Sequence, residues 1–179
     1  MAVQGNRGFR NKRPKRGLIQ FTEWKQEAIN QLIQDDELTK LLAYNTKDWK
    51  SKPSLTEEER YNLVDKHIYS YRYVDEIAEE KQSYISMSLN YFAPQEGYRQ
   101  FSEKFVMGYF YFYIMVDRGV RHTPFGDRAD LITARVYDIF QESRLFGIGE
   151  LEMKTQGEIW LDKGMYGGYH LGFQIIEFK

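Results

Sequence analysis

Apolar residues recur at helical spacing from Phe21 onward. Trp24, Ala28, Leu32 and Ile33 share one face, Thr22 stands where a cap is wanted, and Glu23 and Glu27 suit the first turns. A second, shorter helix is expected over Asp36 to Tyr44, with Leu38, Leu41 and Leu42 on one side. The segment KDWKSKPSLTEEERYNLVDKH reads as a polar connection, broken at Pro53, in which Thr56 and the acids after it start one helical turn. Then the period changes from 3.6 to two. Ile85, Met87 and Leu89 alternate with Tyr84, Ser86 and Ser88, the mark of a half-buried strand. HIYSYRYVDEI alternates less cleanly and is expected as an earlier strand.

The dominant feature is KFVMGYFYFYIMVD, residues 104 to 117, in which every position from Phe105 to Val116 is uncharged and most are large or aromatic. A helix of this composition would be apolar all round and poor in strong helix formers, so a strand is expected. Alternation sorts Val106, Phe110, Phe112, Ile114 and Val116 onto one face and Phe105, Met107, Tyr109, Tyr111, Tyr113 and Met115 onto the other. At about 3.3 Å per residue such a strand runs close to 40 Å, about twice the usual length. Both faces need cover, one from the chain's own helices and the other, in whole or part, from something else.

Pro124 and Gly126 close the following loop, and Asp127 is a good cap for a helix whose stripe is Ala129, Ile132, Val136, Ile139 and Phe140, running to Ser143. Gly147 and Gly149 are expected to end it. Glu150 to Thr155 then alternates with Leu151 and Met153 inward, Gly157 makes a turn, and Ile159 and Leu161 begin a further strand. KGMYGGY reads as a loop, and Leu171, Phe173 and Ile175 form a last strand. Helices and strands in this segregated order predict an α+β fold, a mainly antiparallel sheet with helices packed on one face.

Composition adds three things. The 16% aromatic content, including 14 tyrosines, is high, and tyrosine suits interfaces because it joins contact area to a polar tip. The absence of cysteine removes disulfides, thiolate metal sites and a thiol nucleophile. The near-neutral net charge of −1 hides a division: residues 1 to 17 hold six of the 25 basic residues and no acid, leaving 19 basic against 26 acidic residues, a balance of −7. The chain therefore divides into a basic, glycine-rich arm over residues 1–20, bearing Arg7, Arg10, Lys12, Arg13, Lys15 and Arg16, and a single mildly acidic α+β domain over 21–179. With almost nothing apolar beyond Val3 and Phe9, the arm cannot fold alone. No apolar run reaches the roughly 20 residues a membrane helix needs, and the basic start leads into no signal core, so synthesis in a reducing intracellular setting and no membrane partner are expected.

Candidate chemistry is sparse. His67, His122 and His170 show neither HxH nor HxxxH spacing, so no metal site is expected. FGIG at 146 to 149 follows a helix and precedes a strand, the reverse of a dinucleotide site, and reads as a helix stop. Glu152 and Lys154 form the ExK of certain metal-dependent nucleases, with Asp127 or Asp130 as the acid, but alternating charge on a solvated strand face and helix capping account for these residues more simply. No serine elbow or phosphate loop is present. No catalytic residue, metal or cofactor is expected.

AINQLIQDDELTKLLAYNTKD, the aromatic strand, DRADLITARVYDIFQESRLFGIGELEM and a closing strand pair together resemble the neck proteins of tailed bacteriophages, specifically the tail-terminator or tail-completion group. The resemblance spans roughly residues 25 to 179 and rests on element order and on phrases such as Leu145 to Leu151. It implies a structural virion component, assembled in the host cytoplasm: a hexameric ring capping the tail tube beneath the head, with adjacent neck and tail-tube proteins as partners, no catalytic residues, and at most passing contact with genomic DNA. In such a ring a neighbouring subunit would cover the Tyr/Met face from Phe105 to Met115. The basic arm and the long connection from Lys47 to Lys66 depart from the family pattern. The arm would pair its arginines with carboxylates of a neighbouring ring or tube subunit. Two alternatives stay open: another neck ring, such as a head-completion, stopper or adaptor protein, and a nucleic-acid-binding module using the Arg/Gly arm, with exposed tyrosines stacking bases.

Overall fold

A computed structural model describes residues 19–72, 81–94, 105–161 and 165–178. The basic arm lies outside the described residues, as do parts of the HIYSYRYVDEI and KGMYGGY segments. The elements, in order, are α1 (Ile19–Gln34), α2 (Asp36–Ala43), a 3₁₀ turn (Trp49–Ser51), α3 (Glu57–Tyr61), β1 (Ile68–Tyr69), β2 (Ser83–Pro94), β3 (Phe105–Asp117), α4 (Arg118–Arg121), the β4–β5 hairpin (His122–Thr123, Gly126–Asp127), α5 (Arg128–Phe140), β6 (Glu152–Leu161) and β7 (Tyr166–Phe178). The fold is α+β. Five strands form one mixed sheet in the order β1-β2-β3-β7-β6, antiparallel except for the short β1–β2 pair.

The aromatic strand is β3, and it is central. It is thirteen residues long, pairing with β2 through ten of them on one side and with β7 along its whole length on the other. One face of it packs under the helices. Phe110, Phe112, Ile114 and Val116 are fully buried, opposite Leu89, Met87 and Ile85 of β2 and Phe173 and Leu171 of β7. Phe112 stacks on Phe110 at 4.7 Å and on Phe140 of α5 at 4.5 Å between ring centres. The helical stripes meet this layer: Trp24, Ala28, Ile29, Leu32 and Ile33 from α1, Leu38, Leu41 and Leu42 from α2, and Ala129, Ile132, Val136 and Phe140 from α5.

Helix ends follow local chemistry. Asp35 caps α2 by accepting the Leu38 N–H at 2.7 Å, and Asp127 caps α5 by accepting that of Ala129 at 2.8 Å. Thr56 and Glu59 form a reciprocal capping box on α3. Thr22, by contrast, is not a cap: α1 begins at Ile19, and Thr22 lies exposed inside it. The Lys47–Lys66 connection is more than polar linker, since it buries Trp49, Leu55 and Leu63 in the core. Arg60 holds it there, donating to Asp36, to the Gln34 carbonyl that ends α1 and to the Leu55 carbonyl.

Three expectations near the C-terminus need correction. Helix α5 stops at Phe140, before the glycines, where Glu142 takes a positive φ. Gly157 makes no turn: it sits within β6 opposite His170, so 152–161 is one strand, and Ile159 and Leu161 continue it rather than start another. The 145–149 stretch folds back as a loop, its base closed by Glu142 N–H to Leu151 O and Leu151 N–H to Ser143 O, with Phe146 buried between Trp24, Phe110 and Phe140. Gly147 has φ +67, and a Cβ there would lie 2.3 Å from the Ile176 carbonyl oxygen. Gly147→Ala is therefore expected to cost about 2 kcal/mol of stability, read from the urea midpoint at unchanged slope.

Candidate assembly face

The sheet's second face carries no helix among the described residues. At its lower end Met115 is only 1% exposed, enclosed by Tyr69, Tyr84 and Tyr166 with Ile159 alongside. The chain after β1 turns over this end, and the Arg72 guanidinium sits 5.0 Å above the Tyr113 ring. Above Met115 the cover stops. Tyr113, Tyr111, Tyr109 and Met107 stay half-buried.

These side chains form a platform because alternate residues of one strand stand only about 7 Å apart on the same side. Tyr111 lies 6.1 Å from Tyr113 and 5.9 Å from Tyr109, with His170 of β7 at 6.2 and 6.4 Å from Tyr111 and Tyr113. Glycines make room for the rings. Gly172 is the register partner of Tyr111, and a Cβ on it would meet the ring at 2.7 Å and the Thr155 methyl at 2.4 Å; one on Gly157 would meet His170 at 2.5 Å. A bulge adds a further ring. Tyr91, at φ 61, interrupts the β2–β3 register, which sends Tyr91 to the open face against Tyr111 and Phe92 to the core face against Phe21.

The polar groups bonded along the row are neutral, and the Arg72 guanidinium lies at its Tyr113 end. Ser88 meets the Tyr113 hydroxyl at 3.3 Å and accepts from Asn90, and the Gln174 amide donates to the Met107 sulfur. Burial, together with the nearby Tyr91, Tyr113 and Tyr109 hydroxyls, pushes the Tyr111 phenol above its ordinary value, so it is neutral at physiological pH. A half-desolvated aromatic surface is suited to packing against another surface with tyrosine hydroxyls at its rim.

The expected contact residues thus fall into three groups. Met107, Tyr109, Tyr111 and Tyr113 come together on the platform. Met115 is corrected: it is buried within its own subunit by the three tyrosines and offers no contact surface. Phe105 opens β3, and its side chain, like Arg7, Arg10, Lys12, Arg13, Lys15 and Arg16, lies outside the described residues. Sequence periodicity missed Tyr91, His170 and the glycines beneath the rings. The signal for the last was available in YGGYHLGFQII, where Gly168, His170 and Gly172 alternate with Tyr169, Leu171 and Phe173.

The histidines and the ExK pair take ordinary places. His67 contacts the Ser83 carbonyl at 2.8 Å through Nδ1. Lys154 and Glu152 bond each other on the exposed face of β6, while Asp127 is engaged by α5 and by Arg121. No group of three or more His, Asp or Glu residues able to hold a metal occurs among the described residues. No described helix is long and apolar enough to cross a membrane.

The family model YomW matches residues 35–175, from the cap of α2 through most of β7, and so takes in the whole platform. No curated protein and no solved structure matches the chain.

Proposed function

The chain belongs to the YomW family, a phage-derived, Bacillus prophage-type protein family, and from that footing we propose that it is a structural component of the phage neck. In this reading it is the tail-terminator or tail-completion ring, a homo-hexamer that joins the tail tube to the head–tail connector and resides in the virion. The observation carrying it is the platform of Tyr109, Tyr111 and Tyr113: it is half-buried and uncharged, and lies on a sheet whose other face is already sealed by the chain's own helices. Covering it with a sister subunit removes aromatic surface from water at each repeated contact, and rotation closes the ring. The reading uses side chains for packing and assigns none to catalysis.

The basic arm supplies the outward connection, its arginines and lysines pairing with carboxylates on the next ring or on the tube. Co-sedimentation with purified tail tubes tests this. The full chain is expected to cap tube ends, and a variant lacking residues 1–17 to form the same ring without capping. Capping unaffected by the deletion would discard the arm's role, and a full chain that never joins tubes would discard the terminator reading.

A further inference from the structure

We propose that successive copies in the ring are locked by a second contact, distinct from the platform, in which the Trp160–Arg118 cleft of one copy takes the α1–α3 groove of the next. The proposal rests on the ring reading above and adds to it the direction and charge of the joint. The cleft lies at the β6 edge, where Arg118, Arg121, Trp160 and Met165 surround an open cavity of about 390 Å³. Trp160 and Met165 are 56% and 50% exposed, and both line it. Arg121 holds the indole, its guanidinium 5.0 Å above the ring, while bonding Asp127. Arg118 is exposed and makes no side-chain hydrogen bond or ion pair among the described residues.

A surface of complementary chemistry exists on the same chain. Between α1 and α3, Ile33 and the 54% exposed Tyr61 line a groove with Glu57 at its side and Glu58 adjacent. Neither acid has a side-chain partner among the described residues, Glu59 being taken by the capping box and Arg60 by Asp36.

The two surfaces stand at opposite edges of the sheet. β6 is its last strand, and α3 abuts its first, since the Leu63 carbonyl just beyond α3 accepts the Ile68 N–H of β1 at 3.0 Å. Unlike patches on opposite sides are what a head-to-tail contact requires, whereas a two-fold contact would place each patch against itself, arginine to arginine. Trp160 alternates with Ile159 along β6, its ring over Gly167 on the helix-covered side of the sheet, so the cleft is a contact separate from the platform.

Charge reversal tests this on the full chain, with circular dichroism confirming the fold and sedimentation velocity reading assembly against concentration. Arg118→Glu, and separately Glu57→Lys with Glu58→Lys, are each expected to raise the half-assembly concentration about ten-fold. Combining all three changes in one chain is expected to bring it back near the wild-type value. Mixing the two separate variants is expected to restore assembly too, because an even ring alternates reversed and native pairs. Rings that form normally with Arg118→Glu, or reversals that fail to compensate, overturn this contact and leave the ring standing. A wild-type chain that stays monomeric at every concentration overturns both.

Discussion

Replacing Arg128 with methionine is expected to lower the unfolding free energy by about 3–5 kcal/mol, which for a chain of this size moves the melting temperature down by roughly 10 °C. Arg128 opens α5, is 1% exposed, and has no carboxylate partner among the described residues. It is held by carbonyls. Nη1 donates to Leu41 O at 2.7 Å and Tyr44 O at 2.8 Å, Nη2 to Thr46 O at 2.7 Å, and Nε to Val120 O at 2.9 Å. The first two belong to the end of α2, whose last carbonyls lack helical partners and carry the negative end of the helix dipole. One planar guanidinium thus ties α2, the loop after it, α4 and α5 beneath the sheet. Burial pulls its pKa below the ordinary value, yet arginine keeps its proton in proteins. Methionine fills the space but leaves four acceptors without a donor; lysine, with one compact donor group, is expected to recover only part of the loss. A methionine variant within 1 kcal/mol of wild type by thermal and urea unfolding would contradict this account.

Tyr111→Glu is expected to leave a folded subunit and weaken ring assembly about 100-fold, a loss typical of a central aromatic contact residue. Tyr111 touches Tyr91, Tyr109, Tyr113 and His170, sits over Gly172 and is half-buried in the isolated subunit. A carboxylate there stays hydrated in the monomer and is stripped of water only when a neighbour covers it. Tyr111→Phe keeps the ring area and is expected to assemble within a few-fold of wild type. Sedimentation velocity separates the two variants, and equal assembly by both would remove the platform from the interface.

Much of this was legible from periodicity. The 24–28–32–33 stripe, the Asp127 cap and the two-sided β3 all follow from spacing, because burial selects apolar residues at fixed intervals and capping selects a few side chains. What escaped was set by tertiary contact. Gly157 reads locally as a turn, but His170 needs the vacant space across the strand pair. Met115 reads as the end of an outward row, but Tyr69, Tyr84 and Tyr166 arrive from three other strands to cover it. Arg128 carries no local mark of burial, and only the approach of the α2 end makes it a core residue. For the tyrosine platform, alternation placed Met107, Tyr109, Tyr111 and Tyr113 on one side, while Tyr91 depended on a bulge that no local pattern announces.

Native mass spectrometry of the purified full-length chain bears most directly on the central claim that another copy completes the cover of β3. The account predicts a closed species of six copies of the 21.4 kDa chain, in which Tyr109, Tyr111 and Tyr113 become protected from oxidative labelling. A monomer across the accessible concentration range, with those tyrosines labelled freely, would contradict it.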